Sequence, residues 1–376
     1  MSLSLVFAGG GTGGHIFPAL AIAEALPAGI ACHFVCSDKP LDAEILREAG
    51  RETGHGFTAI GARPPVAKPK GLVRFLRSWG PSVRAGRALL RQIKGDSADA
   101  RLVAMGGYVA APMVQAARAE GVKIVLVNLD AAPGRANRWI ARHAERVFTS
   151  AAVERPGWER VPPLVRQRAR ASSTPEACRE QLGLDPAVRT LLVTGASQGA
   201  RSVNRFLEAM LARHRAAFDG WQVLHQTGKD GVEAMREAYA EAGVLAVVRA
   251  FLPAMGEAWG AADAAVSRSG AGSVGEVWAN RVPTLFLPYP YHADQHQKLN
   301  ALPLVEAGAV VLAEDRIEPE ANMAEAGRAL LELLGDASGR ARMREALVRL
   351  GPADGAGRIA RELERDWAGG AVSDRS

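Results

Sequence analysis

The sequence predicts an α/β protein of two doubly wound parallel-sheet domains facing a cleft, and three observations carry that prediction. Short apolar runs alternate with segments of helical spacing. Glycine-rich loops follow several of those runs directly. The alternation breaks once, in mid-chain, and then resumes. A chain of 376 residues also exceeds what one compact core usually holds.

Leu3 to Ala8 is an apolar run that meets glycines, the pattern of a central strand buried on both faces. Ile16–Leu26 follows with helical spacing, Ala31–Cys36 is a second strand and Leu41–Ala49 a second helix. The beat continues through Arg101–Met105, Met113–Glu120, Lys123–Val127 and Arg146–Thr149. Residues 154–176 carry four prolines, many arginines and no clear period, which puts the domain junction near 160–168. Thr190–Thr194 opens a second set that runs on to Leu312. Glu320–Leu334, entered through Pro319, and Ala337–Leu350 read as helices. Arg358–Trp367 reads as a last amphipathic helix before a frayed tail. The expected domains are 1–163 and 164–354.

An apolar share of 48% against 23% charged residues describes a globular chain and excludes a disordered one. The net charge of +6 is modest, so its distribution matters more than its sum. Cys32, Cys36 and Cys178 form no metal-ligand pattern and leave an odd thiol, as in a reducing compartment. Met1–Ala8 has no preceding Lys or Arg and reads as a strand, not a signal peptide. No stretch approaches the roughly 20 apolar residues of a membrane span, although the protein can still touch a membrane.

Gly9-Gly10-Gly11-Thr12-Gly13-Gly14-His15 joins the first strand to the first helix. Glycines there let the backbone turn tightly and bring free N–H groups up to a ligand's oxygens. The same residues satisfy the dinucleotide fingerprint, with Asp38 near the position of a ribose-binding acid, so a nicotinamide dehydrogenase also fits. Against it, a cofactor-binding helix needs no imidazole, and His15 stands at the helix entrance. His15 is either a polar group at the cleft mouth or a helix-start residue bonded to backbone. Gly106-Gly107-Tyr108 ends a later strand on the same edge, either as a ligand loop or as a turn with a packed tyrosine.

The second half is more specific. Gly195-Ala196-Ser197-Gln198-Gly199-Ala200-Arg201 again opens a helix, with donors for a diphosphate. His225-Gln226-Thr227-Gly228-Lys229 is similarly polar. Ser267 to Glu276 is rich in small residues, with Gly270 and Ser273 leading into a helix whose N-terminus suits phosphate. Glu276 lies about one turn in, where a carboxylate can accept from the vicinal hydroxyls of a ribose; a solvated surface acid is the alternative. Asp294, His296, Gln297 and Asn300 put imidazole and amide groups on one segment, which suits a sugar.

Taken in order, these motifs resemble the MurG family, transferases that add N-acetylglucosamine to the lipid-linked muramyl-pentapeptide precursor of peptidoglycan. The resemblance runs over nearly the whole chain and includes Val161–Arg166, Asn204, Phe251–Met255 and Ala301-Leu302-Pro303 as well. It implies two Rossmann-like domains of the GT-B type, with a final helix over 355–370 crossing back to the first. On the donor, UDP-N-acetylglucosamine, it implies Thr12, Gly13, Gly14, Ser197, Gln198, Gly270 and Ser273 at the diphosphate and sugar. Arg166 would neutralise phosphate, Leu252 would meet uracil through its backbone and Met255 would pack nearby. Glu276 would hold the ribose, and His296 and Gln297 the sugar hydroxyls. Gly11, Tyr108, Asn128 and Asn137 would face the acceptor, a polyprenyl-pyrophosphate-linked muramyl-peptide.

The reaction so implied is an inverting displacement without a covalent enzyme intermediate or a cofactor, with His15 as first candidate for the base. No Asp-x-Asp motif stands in a suitable place, so no bound metal is expected. The family usually carries His-Glu-Gln-Asn where this chain reads Val127-Asn128-Leu129-Asp130. Asp130 is then an alternative base, and a different lipid acceptor or a nucleotide-binding protein without turnover also fits. Lys68–Lys94 holds eight bases and no acid, interleaved with Leu72, Phe75, Leu76 and Trp79. With Arg74 and Arg77 these residues suit docking on an anionic membrane surface at its cytoplasmic face. A core helix with a solvated basic face is the alternative. Stacking aromatics are too scarce for nucleic acid.

Overall fold

The computed structural model describes residues 3–10, 13–65, 68–97, 99–195, 199–291 and 294–373. The chain divides into two compact units, Met1–Arg166 with Asp354–Ser376, and Gln167–Ala353. The sequence reading put this division after 163.

Among the described residues the first unit holds a sheet of seven strands: β1 (Leu3–Ala8), β2 (Ala31–Ser37), β3 (Gly56–Ile60), β4 (Asp99–Ala104), β5 (Lys123–Asn128), β6 (Arg146–Thr149) and β7 (Trp158–Arg160). Their order is β3-β2-β1-β4-β5-β6-β7, and every pair is parallel. Every residue of β1 is buried, because helices cover both faces of such a sheet. Val6 and Ala8 join Leu102, Ala104, Ile124 and Leu126 on one face, while Phe7 stacks on Phe34 at 5.2 Å on the other. Two strands lie where the sequence reading had none. β3 and β7 are the sheet edges and only partly buried, so neither needs a continuous apolar run.

The second unit repeats the plan with β8 (Arg189–Thr194), β9 (Trp221–Gln226), β10 (Ala246–Arg249), β11 (Ala264–Ser267), β12 (Thr284–Phe286) and β13 (Val311–Leu312), in the order β10-β9-β8-β11-β12-β13, all parallel. Successive residues feed opposite cores: Leu191, Val193, Leu285 and Leu287 one, Leu192, Leu224, Ala265 and Phe286 the other. The segment read as one helix over Glu320–Leu334 is broken into Pro319–Asn322, a widened turn over Met323–Gly327, and Arg328–Gly335. Asn322 is anchored sideways, accepting from Arg316 N–H at 2.7 Å and donating to Asp315 at 3.2 Å, and the widened turn absorbs that anchoring.

The last helix, Gly355–Ser373, belongs to the first unit and packs on the helix Gly13–Glu24. Arg146 of β6 holds it. Its guanidinium meets Glu159 at 3.0 and 2.8 Å, and Glu362 and Asp366 at 2.9 Å each, while lying 4.8 Å from the Phe148 ring centre. The side chain is 21% exposed, so these charge-assisted bonds are only partly screened. Among the described residues no helix is long and apolar enough to cross a membrane.

Arg146→Ala leaves three carboxylates facing one another. We expect a loss of roughly 2 kcal/mol or more, read as a lower melting temperature, with the 355–373 helix cut early by protease. Unchanged melting and proteolysis would show that apolar packing alone holds this helix.

Candidate functional site

Parallel pairing brings all strand C-termini in each unit to one edge. In the second unit the chain winds outward in opposite directions from β8 and β11, so their two following loops adjoin at a topological switch point. The loop after β8 is built on glycine. A Cβ on Gly195 would sit 2.2 Å from Ala200 N, and one on Gly199 (φ 73°) 2.2 Å from the Thr227 carbonyl oxygen. Ser197 and Gln198 lie outside the described residues. The polar run after β9 turns out to be support. His225 is buried, with Nδ1 2.9 Å from the Tyr239 hydroxyl and Nε2 3.2 Å from Asn204 Oδ1, and burial pushes it down to about 3. Asn204 in turn donates to the Thr227 carbonyl at 3.0 Å, which braces the Gly199 turn.

The loop after β11 leads into the helix Ala271–Asn280, with Gly270 as its N-cap and Ser273 half-buried in its first turn. The free N–H groups there suit an anion. Beneath the loop, Arg268 is buried against Asp315 at 2.7 Å and donates to Ser202 Oγ and the carbonyls of Leu287 and Pro288. Burial alone would raise the Asp315 carboxyl, but the Ser202 hydroxyl and the Arg268 charge hold it below the usual range. Arg268 is therefore internal scaffolding.

Glu276 stands in the second turn of the same helix. It is half-buried, and Oε2 accepts from Trp259 Nε1–H at 2.9 Å. Burial pushes its carboxyl up to about 7, against the lowering effect of that indole. A freely solvated surface acid would show neither feature. After β12, Gln295 takes up a left-handed conformation (φ 47°) and starts the helix His296–Glu306. His296 Nδ1 lies 2.7 Å from Asp294 Oδ1, and Gln297 Oε1 accepts from Tyr289 N–H at 2.9 Å. Leu252 N–H donates to Gln226 Oε1 at 3.2 Å, and Met255 opens the helix Met255–Ala261, half-buried.

The first unit has its own switch point between β1 and β4. A Cβ on Gly10 would lie 2.9 Å from Asp42 Oδ2, and one on Gly107 3.2 Å from the His15 ring. Thr12 and Gly11 lie outside the described residues. Gly13 opens the first helix and is buried, whereas Gly14 is exposed. His15 is half-buried, with Nδ1 enclosed and without a hydrogen-bond partner among the described residues. Burial lowers its pKa below the ordinary value, opposed by the carboxylates of Asp130 and Asp42. Asp42 is fully buried and accepts from Ser37 Oγ at 2.5 Å. Tyr108 packs half-buried on the core behind the loop.

One expectation changes, and Arg166 and Asp38 are found with partners of their own. Asn128 is fully buried; its amide donates to the Asp130 carbonyl at 2.8 Å and Thr149 Oγ1 at 3.1 Å and accepts from Asn137 at 2.9 Å, so it props the loop and cannot face an acceptor. Arg166 belongs with the first unit, where its buried guanidinium meets Glu24 at 2.6 and 2.5 Å, although Nη1 has no hydrogen-bond partner among the described residues. Asp38, the ribose acid of the dehydrogenase alternative, is paired with Arg63 at 2.5 and 2.7 Å. Asn137 sits against Gly106, whose Cβ would lie 2.6 Å from its Oδ1.

The basic stretch is the helix Pro69–Asp96. Leu72, Val73 and Leu76 are exposed at 49%, 45% and 62%, which rules out a core role for that face. Arg74 and Arg77 are exposed beside them. Phe75 packs tilted against Trp79 with ring centres 5.5 Å apart, and Trp79 Nε1–H donates to Gln115 at 2.6 Å. Farther along, Arg87 and Arg91 pair with Glu120, and Lys94 donates to the Glu120 carbonyl, so those bases are committed within the unit. Trp259, Asp42 and the Arg268–Asp315 pair escaped the sequence reading, since nothing in a one-dimensional pattern separates a buried partner from a core or surface residue.

The family profile of the Glycosyltransferase family 28 N-terminal domain matches residues 5–149, and that of the Glycosyltransferase family 28 C-terminal domain residues 190–347. The UDP-N-acetylglucosamine--N-acetylmuramyl-(pentapeptide) pyrophosphoryl-undecaprenol N-acetylglucosamine transferase of Acidithiobacillus ferrooxidans is 36% identical over 369 residues, 96% of this chain and 97% of its own. Its counterpart in Geobacter sulfurreducens is 33% identical over 373 residues, with 96% and 98% covered. Among solved structures, Acinetobacter baumannii MurG superposes with a TM-score of 0.69 at 24% identity, covering 97% of this chain and 99% of that one. A UDP-N-acetylglucosamine 2-epimerase reaches 0.66 at 14% identity, covering 98% and 97%, so the fold by itself does not select the reaction. The sequence matches do select, and this chain belongs to glycosyltransferase family 28.

Proposed function

We infer that the protein transfers N-acetylglucosamine from UDP-N-acetylglucosamine to a lipid-linked muramyl-pentapeptide in peptidoglycan synthesis. The observation that carries this reading is the 36% identity, spanning nearly all of both chains, with a transferase of that activity. The second unit's chemistry supports the donor half. Two adjoining loops offer N–H groups to a diphosphate, Glu276 offers a carboxylate to ribose, and His296 and Gln297 offer polar groups to a sugar.

In the displacement, the acceptor hydroxyl attacks the anomeric carbon, its proton passes to a base, and UDP leaves with the bonding electrons. Charge on the departing diphosphate is stabilised by preorganised donors, each typically contributing about 3 kcal/mol. His15 is the base this reading favours, because its lowered pKa keeps the imidazole neutral near pH 7. A different lipid-linked acceptor is the second reading. It is favoured by the burial of Val127, Asn128 and Leu129, which leaves Asp130 the only residue of that altered segment outside the core.

The helix Pro69–Asp96 supports peripheral docking through Leu72, Leu76, Phe75, Arg74 and Arg77, on the cytoplasmic face where such a precursor would be met. Trp79 borders the patch with its indole N–H already bonded.

Calorimetry with UDP and labelled-sugar transfer to a purified muramyl-pentapeptide lipid test the whole reading. UDP binding and transfer are expected, with Glu276→Ala raising the donor KM about tenfold or more. Binding of NAD in place of UDP would overturn it. His15→Ala should lower kcat roughly a hundredfold with donor binding little changed. The sign of the pH effect follows from the lowered pKa: kcat at saturating donor should fall on the acid side only below the ordinary histidine range. Asp130→Asn removes a charge that favours the imidazolium, so it should move that acid limb lower still; loss of all turnover instead would make Asp130 the base. Reversing Arg74 and Arg77 to Glu should weaken binding to anionic vesicles, by about 1 kcal/mol per charge removed. Full retention would show that this exposed helix face does not dock on a membrane.

A further inference from the structure

The ribose acceptor just described has a buried neighbour with no assigned task. Trp259 is 1% exposed in the core beneath the helix Met255–Ala261, and its indole N–H points out of that core at one atom, Glu276 Oε2. An indole nitrogen is a donor only, and a buried one needs an acceptor. Any acceptor would serve burial alone. A carboxylate on the first turns of the nucleotide-facing helix is a demanding choice, since it must be kept partly out of water.

We propose that Trp259 is the positioning residue for Glu276: its immobile indole N–H fixes Oε2 and thereby aims the carboxylate at the vicinal hydroxyls of a nucleotide's ribose. This rests on the donor reading above. The indole occupies one lone pair, which leaves Oε1 and the second lone pair of Oε2 to accept from two hydroxyls. The anchor is rigid from both sides. Trp259 is locked in the apolar layer with Ala258, Val274 and Val277. The backbone carbonyl of Glu276 accepts from Asn280 at 2.9 Å, and Asn280 also donates to the Ala169 carbonyl and accepts from Ala171 N–H. The carboxylate's one flexible element is its own side chain, and the indole removes that freedom before the nucleotide arrives.

The same bond favours the charged form. Burial and the indole N–H are the two causes of the Glu276 shift, with opposite signs, and the balance leaves the carboxyl near neutrality at about 7. A ribose is held by the carboxylate and not by the protonated acid. Nucleotide affinity should therefore rise with pH through that value, and removing the indole donor should push the rise to higher pH.

The test uses the full chain, calorimetry with UDP between about pH 6 and 9, and Trp259→Phe, which deletes the N–H and keeps an aromatic core. In the unsubstituted protein, affinity should climb through about pH 7 and level off. In Trp259→Phe the climb should move up by about one unit, giving roughly a fivefold loss at pH 7 and near-full recovery at pH 9. The donor KM should rise while kcat at saturating donor stays unchanged. Adding Trp259→Phe to Glu276→Gln should cost nothing further. An equal loss at every pH would reduce Trp259 to packing, and no loss at all would remove the role altogether. Should Trp259→Phe fail to fold, the indole ¹⁵N resonance of Trp259 in the unsubstituted protein carries the test. It should titrate near pH 7 and cease to do so in Glu276→Gln; a resonance indifferent to pH would overturn the proposal. If the unsubstituted protein binds no UDP at any pH, the donor reading fails instead, and the indole titration still reports whether the pair is coupled.

Discussion

Among the described residues every strand in both sheets runs parallel to its neighbours, and the central ones are buried between helices; this single constraint places the chemistry. Strands covered on both faces admit ionised side chains only where they are paired, as Arg101 is with Asp99, so polar function is driven to the loops. Parallel pairing then collects those loops at one edge, and the reversal of winding brings two of them side by side. At both switch points the backbone has to pass so close to its neighbours that a methyl group would collide. Gly10 against Asp42 and Gly199 against the Thr227 carbonyl are two expressions of one crowding rule. Crowding of that kind fixes the backbone at Gly10 and at Gly199, where each loop meets its neighbours.

Such loops need support from below, and the support is polar. Arg268 with Asp315 and Ser202, His225 with Asn204 and Tyr239, and Asn128 with Asn137 and Thr149 each tie a loop to the strand or helix beside it. Buried ion pairs of this sort add little net stability, because desolvation offsets most of their attraction. Their effect is to fix geometry. Ile317 shows the strain that such fixing can impose: a β-branched residue held left-handed at φ 66°, with its N–H bonded to Asp315 Oδ1 at 2.8 Å.

The fold class was legible because burial writes itself into sequence. β1, β6 and β8 stand within a residue of where their apolar runs put them. The edges β3 and β7 were illegible for the converse reason, since half-buried strands need no such run. The glycine loops were legible as loops, because glycine marks places where side chains do not fit. What each polar residue near them does was not. Asn128 and Arg268 look like ligand groups in one dimension and are girders in three, and Trp259 looks like core and touches a carboxylate. A sequence records which groups are polar, but only the folded chain records which of them are already satisfied.

The first unit is assembled from two stretches far apart in the chain, 1–166 and 354–376, whereas the second is one unbroken stretch between them. During synthesis the second unit can therefore complete its hydrophobic layers while the first still lacks its closing helix. Glu24's helix and the Arg146 guanidinium wait, the former uncovered and the latter short of Glu362 and Asp366, until the helix Gly355–Ser373 has been made. The half that carries His15 thus receives its closing helix only after the whole of the other half has been made.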